Sequence, residues 1–208
     1  MGQKIDSIYK VVTVPFFYEA IQNLLGRKKA FNYLAEGPLA TQAGDRVLDV
    51  GCGPGTLLSY LGDVDYTGID LNAPHIEKAK DKYGHMGQFY YGNAVTDIDI
   101  AAGPYDLIIC IGLLHHLEDD EAITLISSLS KRLSKRGRLV TFDPVYISRQ
   151  NPIAKKLNDL DSGQNIRTQP AYAALFDILK FDLKSDVLKG KLNVPYNHCC
   201  NVVYPKVA

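Results

Sequence analysis

The nine residues Val47-Leu48-Asp49-Val50-Gly51-Cys52-Gly53-Pro54-Gly55 constrain the fold more than any other stretch, because an apolar strand pattern runs straight into a turn with glycine at alternate positions. Glycine lacks a Cβ, so it takes positive φ without steric cost and lets a ligand approach the main chain. A strand, such a turn and then a helix make the βα unit with which parallel sheets bind nucleosides at their carboxyl edge. Asp70 sharpens the reading. It lies twenty-one residues after Asp49, at the end of a second apolar run, Tyr66-Thr67-Gly68-Ile69-Asp70. A carboxylate there suits the two hydroxyls of a ribose.

Two kinds of nucleoside cofactor share that geometry, and two residues separate them. The dinucleotide fingerprint has Gly or Ala at its sixth position, where this chain has Thr56. The first strand also ends in Asp49, whose carboxylate would repel a pyrophosphate. S-adenosylmethionine has no phosphate and carries an ammonium and a sulfonium, so a nearby acid is tolerated.

On these residues the chain resembles class I S-adenosylmethionine-dependent methyltransferases of the small-molecule type, in the group Methyltransf_11/25. Gly68-Ile69-Asp70-Leu71-Asn72 is similar to that family's second motif, Phe89-Tyr90-Tyr91-Gly92-Asn93-Ala94 to its third, and Tyr105 to Leu117 to its fourth and the following loop. The resemblance covers roughly residues 45 to 140. It implies S-adenosylmethionine as cofactor, held by Asp49, Gly51, Cys52, Gly53, Gly55, Asp70, Leu71, Asn93, Ala94, Cys110 and Gly112. The third motif more often has Asp where this chain has Asn93, whose amide oxygen still accepts from an adenine amino group. The implied fold is α/β: a Rossmann-like, seven-stranded, mostly parallel sheet with helices on both faces and a C-terminal antiparallel hairpin.

Periodicity and breakers place the elements. Helices are expected over 18 to 36, Thr56 to Leu61, Asn72 to Tyr83, 118 to 136 and 171 to 180. Strands are expected at 46 to 50, 66 to 70, 138 to 142, 181 to 189 and 197 to 205. In the 118 to 136 helix, acids at 118 to 121 and Lys131, Arg132, Lys135 and Arg136 near Gly137 complement the helix dipole. Residues 143 to 170 carry Pro144, Pro152, Gly163 and Pro170 and read as an irregular segment. The reading is one domain, 1-208, in which residues 1-40 and 143-180 form a cap.

Methyl transfer is displacement at carbon, and holding nucleophile, methyl and sulfur in line supplies about 7–11 kcal/mol. A general base matters when the acceptor must lose a proton, and adds roughly 100- to 10,000-fold. His115 and His116 follow the fourth motif where such a base would act; packing of the loop is the other reading. Tyr9 and Tyr18, beside Phe16 and Phe17, either contact substrate or cover the sheet edge. Arg167 and Arg27 either grip a carboxylate, of the cofactor's methionine tail or of the substrate, or lie solvated at the surface.

The 208 residues are 46% hydrophobic, enough to bury a core without disulfides. The four cysteines have no metal-ligand spacing, Gly112 and Leu113 offer no ligand, and no metal is expected. Twenty-three basic residues balance twenty-three acidic ones, which argues against a nucleic-acid partner. No apolar run reaches the length of a membrane span and no signal-peptide layout opens the chain, so a cytoplasmic monomer or homodimer acting on a small molecule is expected. Cys110-Ile111-Gly112-Leu113 lacks the aromatic-proline signature of base-amino methylation. Two alternatives remain: a macromolecule methyltransferase, and a protein that binds S-adenosylmethionine without transferring methyl, as a partner subunit or a cyclase-like enzyme.

Overall fold

The computed structural model describes residues 26–97, 101–161, 163–190, 193 and 195–206. In chain order these build α1 (Arg27–Glu36), β1 (Arg46–Val50), β2 (Asp65–Asp70), α2 (Ala73–Tyr83), β3 (Gly87–Tyr91), β4 (Tyr105–Ile111), α3 (Asp119–Ser130), β5 (Leu133–Tyr146), α4 (Pro152–Asp159), β6 (Arg167–Thr168), α5 (Gln169–Ala174), β7 (Phe181–Leu188) and β8 (His198–Pro205). Seven strands lie in the order β3-β2-β1-β4-β5-β8-β7, and the two-residue β6 pairs only with β5. Strands β1 to β5 are parallel. The last two are antiparallel, as expected for a C-terminal hairpin.

Each central strand is buried on both sides, and its alternate side chains feed two cores. Leu48 and Val50 of β1 pack with Ile69, Ile108, Leu125 and Leu129 on one side. Val47 packs with Leu107, Ile109, Tyr66, Phe89 and Ile76 on the other. Burial of each such side chain stabilises the fold by about 1.5–3 kcal/mol. Chain order places the site. After β1 the chain moves outward to β2 and β3, then returns to β4 on the opposite flank, and this reversal opens a crevice at the carboxyl ends of β1 and β4.

Helix α2 begins as expected: the Asn72 side chain accepts from the His75 N–H at 3.1 Å, and Pro74 sits in the first turn. Elsewhere the structure corrects the sequence reading. Residues Thr56–Tyr60 form a 3₁₀ turn rather than an α-helix, since Gly55 and Gly62, both at positive φ, bracket a run too short for two α-turns. The helix expected over 118 to 136 stops at Ser130. Arg132 lies in the turn that leads into β5: its carbonyl accepts from the Tyr105 N–H at 2.7 Å and its Nε donates to Ala101 O at 3.2 Å. Lys135, Arg136 and Gly137 therefore lie in β5, and tertiary pairing overrides a favourable helix end.

The segment from 143 to 170 is not irregular throughout. Residues 143 to 146 continue β5, and Pro152 opens α4, with Asn151 accepting from the Ile153 N–H at 2.8 Å. Pro170 opens α5 in the same way, so both prolines start helices instead of breaking them. The last helix is Gln169–Ala174, shorter than expected. Of the helix expected over 18 to 36, residues 18 to 25 lie outside the described residues. Among the described residues, no helix is long and apolar enough to cross a membrane.

Candidate active site

The turn after β1 is closed by its own hydrogen bonds. Gly51 and Cys52 N–H both donate to Ile69 O, at 2.8 and 3.1 Å, and Gly55 N–H donates to Cys52 O at 3.1 Å. Gly53 N–H donates to Asp70 Oδ2 at 2.8 Å, and Asn72 N–H donates to Asp70 Oδ1 at 2.8 Å. Gly51, Gly53 and Gly55 all take positive φ. A Cβ on Gly55 would stand 2.9 Å from Phe89 Cε1. A turn that spends these N–H groups internally offers no cradle for a pyrophosphate, which needs free backbone donors.

Two carboxylates border this turn and behave differently. Burial pushes the Asp49 carboxyl up to about 7, opposed by the Tyr66 hydroxyl that donates to Asp49 Oδ2 at 2.7 Å. Asp70 is half-buried, and against the cost of that burial its hydrogen bonds hold its pKa below the ordinary carboxylate value. Leu71, next to it, is 63% exposed.

Beyond the end of β4, side chains build the opposite wall. Gly112 turns at positive φ, and residues Leu114–His116 form a 3₁₀ turn. His115 is buried between two aspartates: its Nδ1 lies 2.9 Å from Asp143 Oδ1 and its Nε2 3.3 Å from Asp161 Oδ1. The His115 N–H also reaches Asp143 Oδ1, at 3.2 Å. Burial alone would lower the His115 pKa, but the bonds to Asp143 and Asp161 reverse that and hold it at about 9. His116 is the opposite case. Desolvation and the neighbouring His115 lower its pKa, and its ring lies 4.1 Å from that of His115.

A strap from Asp161 to Arg167 holds this wall. Asp161 accepts from the Gly163 N–H and the Tyr196 hydroxyl, both at 2.8 Å, and its carboxyl is held down at about 2, burial notwithstanding, by these bonds and by His115. Asn165 N–H donates to His115 O at 2.9 Å. Gly163 lies so close to the His115 ring that a Cβ would sit 2.0 Å from Cδ2. Arg167 ends the strap, with Nε on Asp119, Nη1 on Leu114 O and Asn165 O, and Nη2 on Leu117 O and Asp119.

Residues 47–137 match the family described as "Methyltransferase domain". Among curated relatives, an uncharacterised methyltransferase of Anoxybacillus flavithermus is 33% identical over 115 residues, 52% of this chain and 51% of that protein. The magnesium-protoporphyrin O-methyltransferase of Synechocystis is 32% identical over 133 residues, 61% of this chain and 55% of that protein. The chain thus spans about half the length of these relatives. The crystal structure of the plantazolicin methyltransferase BamL, bound to a substrate analogue and SAH, superposes with a TM-score of 0.71 over 97% of this chain and 92% of that one, at 16% identity. Over residues 47–137 the chain matches a methyltransferase domain, and its fold is shared with a methyltransferase that binds SAH.

In this methyltransferase domain the residues expected to hold cofactor, Asp49, Gly51, Gly53, Gly55, Asp70, Leu71, Asn93, Ala94 and Gly112, gather at the carboxyl ends of four neighbouring strands. Cys52 and Cys110 are there by backbone only. Their thiols are buried in the two cores, so side-chain contact with a ligand is excluded for both. Asn93 Oδ1 already accepts from the Val95 N–H at 2.9 Å in a tight turn, which leaves its amino group as the simpler ligand contact. Arg167 is the clear correction: all five N–H groups are used within the protein, so no donor is left for a carboxylate. Its pairing with a residue 48 positions away had no local signature. Arg27 opens α1, whose Lys29 donates to Gly190 O at 3.0 Å. Tyr9 and Tyr18 lie outside the described residues. Sequence reasoning missed Asp143 and Asp161. The one signal for the first was an acid closing the apolar run Leu139-Val140-Thr141-Phe142 at the sheet's carboxyl edge, the position that Asp49 and Asp70 occupy on their strands.

Proposed function

We propose that this chain transfers the methyl group of S-adenosylmethionine to a hydroxyl of a small-molecule acceptor. The observation that carries the reading is the turn after β1, whose N–H groups are spent on Ile69, Cys52 and Asp70, beside the Asp70 carboxylate, which suits a cationic nucleoside and repels a phosphate. Asp70 would accept from the ribose hydroxyls with its remaining lone pairs, Leu71 would cover the adenine face, and the Asn93 amino group with the Ala94 N–H would meet the adenine edge. Gly112 would let the methionine moiety pass close to the main chain. The relative named as an O-methyltransferase supports an oxygen acceptor, and the neighbour BamL, bound to SAH, supports the cofactor.

Displacement at the methyl carbon needs alignment and a dry site more than covalent help. His115 is a poor base, since both ring nitrogens face carboxylates. His116, exposed and with its pKa lowered, is the imidazole free to receive an acceptor proton. We read the chain as one domain, with the described part of 143-180 closing the acceptor side; of the expected cap segment 1-40, residues 1–25 lie outside the described residues. Calorimetry with S-adenosylhomocysteine and with NADH tests the cofactor. Tight binding of the first and none of the second is expected, and the reverse overturns the reading. Transfer of labelled methyl to a panel of phenols, alcohols and amines then identifies the acceptor atom.

A further inference from the structure

His115, His116 and Asp161 present ligand atoms that all lie within 4.8 Å of one another, although Asp161 is far from the histidines in sequence. We infer that these three residues form a site for a divalent transition-metal ion at the acceptor end of the crevice.

Four observations carry this. First, His115 has the arrangement of a metal-binding histidine: its Nδ1 is fixed by a buried carboxylate, Asp143, and its Nε2 points away toward Asp161. Second, Nε2 stands 3.3 Å from Asp161 Oδ1. Neighbouring ligand atoms in a tetrahedral site with bonds of about 2.0–2.1 Å stand about 3.3 Å apart, so an ion fits between these two without displacing either. Third, Asp161 is held in place through both oxygens, Oδ1 by the Gly163 N–H and Oδ2 by the Tyr196 hydroxyl, which fixes Oδ1 facing the imidazole with one lone pair left for an ion. Fourth, exposed His116 offers a ring nitrogen within 4.8 Å of the other two ligand atoms; with an ion bound, the metal rather than the free imidazole would meet the acceptor oxygen.

The donor set selects the ion. Two imidazoles and one carboxylate suit Zn²⁺, Fe²⁺, Co²⁺ or Ni²⁺, whereas Mg²⁺ and Ca²⁺ favour oxygen ligands. Two carboxylates, Asp161 in the site and Asp143 behind it, match the charge of a divalent ion. The site would be invisible in sequence, because an adjacent His pair and a distant Asp have no ligand spacing.

Tag-free protein, stripped with chelator and free of S-adenosylmethionine, should bind one Zn²⁺ per chain by calorimetry and develop visible d–d bands with Co²⁺. His116→Gln should weaken Zn²⁺ binding on the order of 100-fold. It removes an exposed ligand and leaves in place the bonds of Asp161 to Gly163 and Tyr196 that hold the strap. Asp143→Asn should weaken binding by about 10- to 100-fold, the usual effect of losing the group that orients a ligand. His85→Gln, on the exposed turn after α2, should change nothing. Equal affinity in wild type and His116→Gln, or no binding by the wild type, overturns the inference. Binding of S-adenosylhomocysteine, measured separately, reports on the proposed function and not on this site.

Discussion

The two walls of the crevice are built by different means. On the cofactor side the backbone does the work: glycine φ angles and N–H groups close the turn, and the side chain that locks it, Asp70, bonds to groups 2 and 17 residues away. On the acceptor side, side chains do it: His115 with Asp143, Arg167 with Leu114 and Leu117, Tyr196 with Asp161, over separations of 28 to 53 residues. The cofactor wall is locked by a carboxylate whose pKa is held low, so its shape is kept above the acid range. A wall built from ion pairs is stable only while its members stay ionised.

The largest expected effect separates folding from binding. Arg167→Ala strips a buried guanidinium from three carbonyls and Asp119, and should cost about 3 kcal/mol or more. For a chain of this size that lowers Tm by roughly 6–12 °C. Affinity for S-adenosylhomocysteine should stay within about threefold; a large loss would put Arg167 back in the cofactor site. The second effect is pH dependence. His115 titrates near 9 in the fold and near 6.5 when unfolded, so its pairing contributes fully below pH 6.5 and is lost as pH rises through 9. The loss is at most about 3 kcal/mol. Exchange of the Asn165 N–H, bonded to His115 O, should accelerate over that range, and His115→Gln should flatten the profile. An alkaline profile unchanged in His115→Gln would locate the titration elsewhere.

On the other wall, Asp70→Ala should weaken S-adenosylhomocysteine binding by about 1.5–3 kcal/mol, roughly 10- to 150-fold, as a charged hydrogen-bond partner is lost. An unchanged Kd in a folded variant would remove Asp70 from the ribose. The smallest effect is at Leu71. Its replacement by Ala should cost about 1 kcal/mol of cofactor affinity, near fivefold, through lost apolar cover, and should leave Tm unchanged. A drop in Tm would show that Leu71 is packed, contrary to its exposure.

The same division explains how much is legible in the sequence. The first wall is written in short stretches: a strand, glycines on alternate residues, then an acid at the end of the next strand. Its elements are readable down to the Asn72 cap. Errors arise where distant partners decide. This stretch looks like a helix terminus because Lys131, Arg132, Lys135 and Arg136 suit one, and only the bonds of Arg132 to Tyr105 and Ala101 turn the chain there into β5. Pro152 and Pro170 read as breakers, since a proline in the first turn of a helix is told from one that ends a helix only by whether the residues after it go on to pack. Arg167 looks like a ligand donor because nothing local reveals that Leu114, Leu117, Asn165 and Asp119 take all its protons.

Strand β5 is longer than its neighbours in the sheet, and it behaves as a lever. Its early part is tied to the α1 side of the molecule by Arg138, which donates to Pro38 O at 2.9 Å and also to Ala40 O. Its far part carries Asp143 under His115, then runs on to Val145, whose carbonyl takes the Asn158 amide at 3.1 Å, and pairs with β6. The rim that carries the strap and the rim that carries α1 are therefore pinned to one continuous strand, so neither can shift without breaking a hydrogen bond to β5.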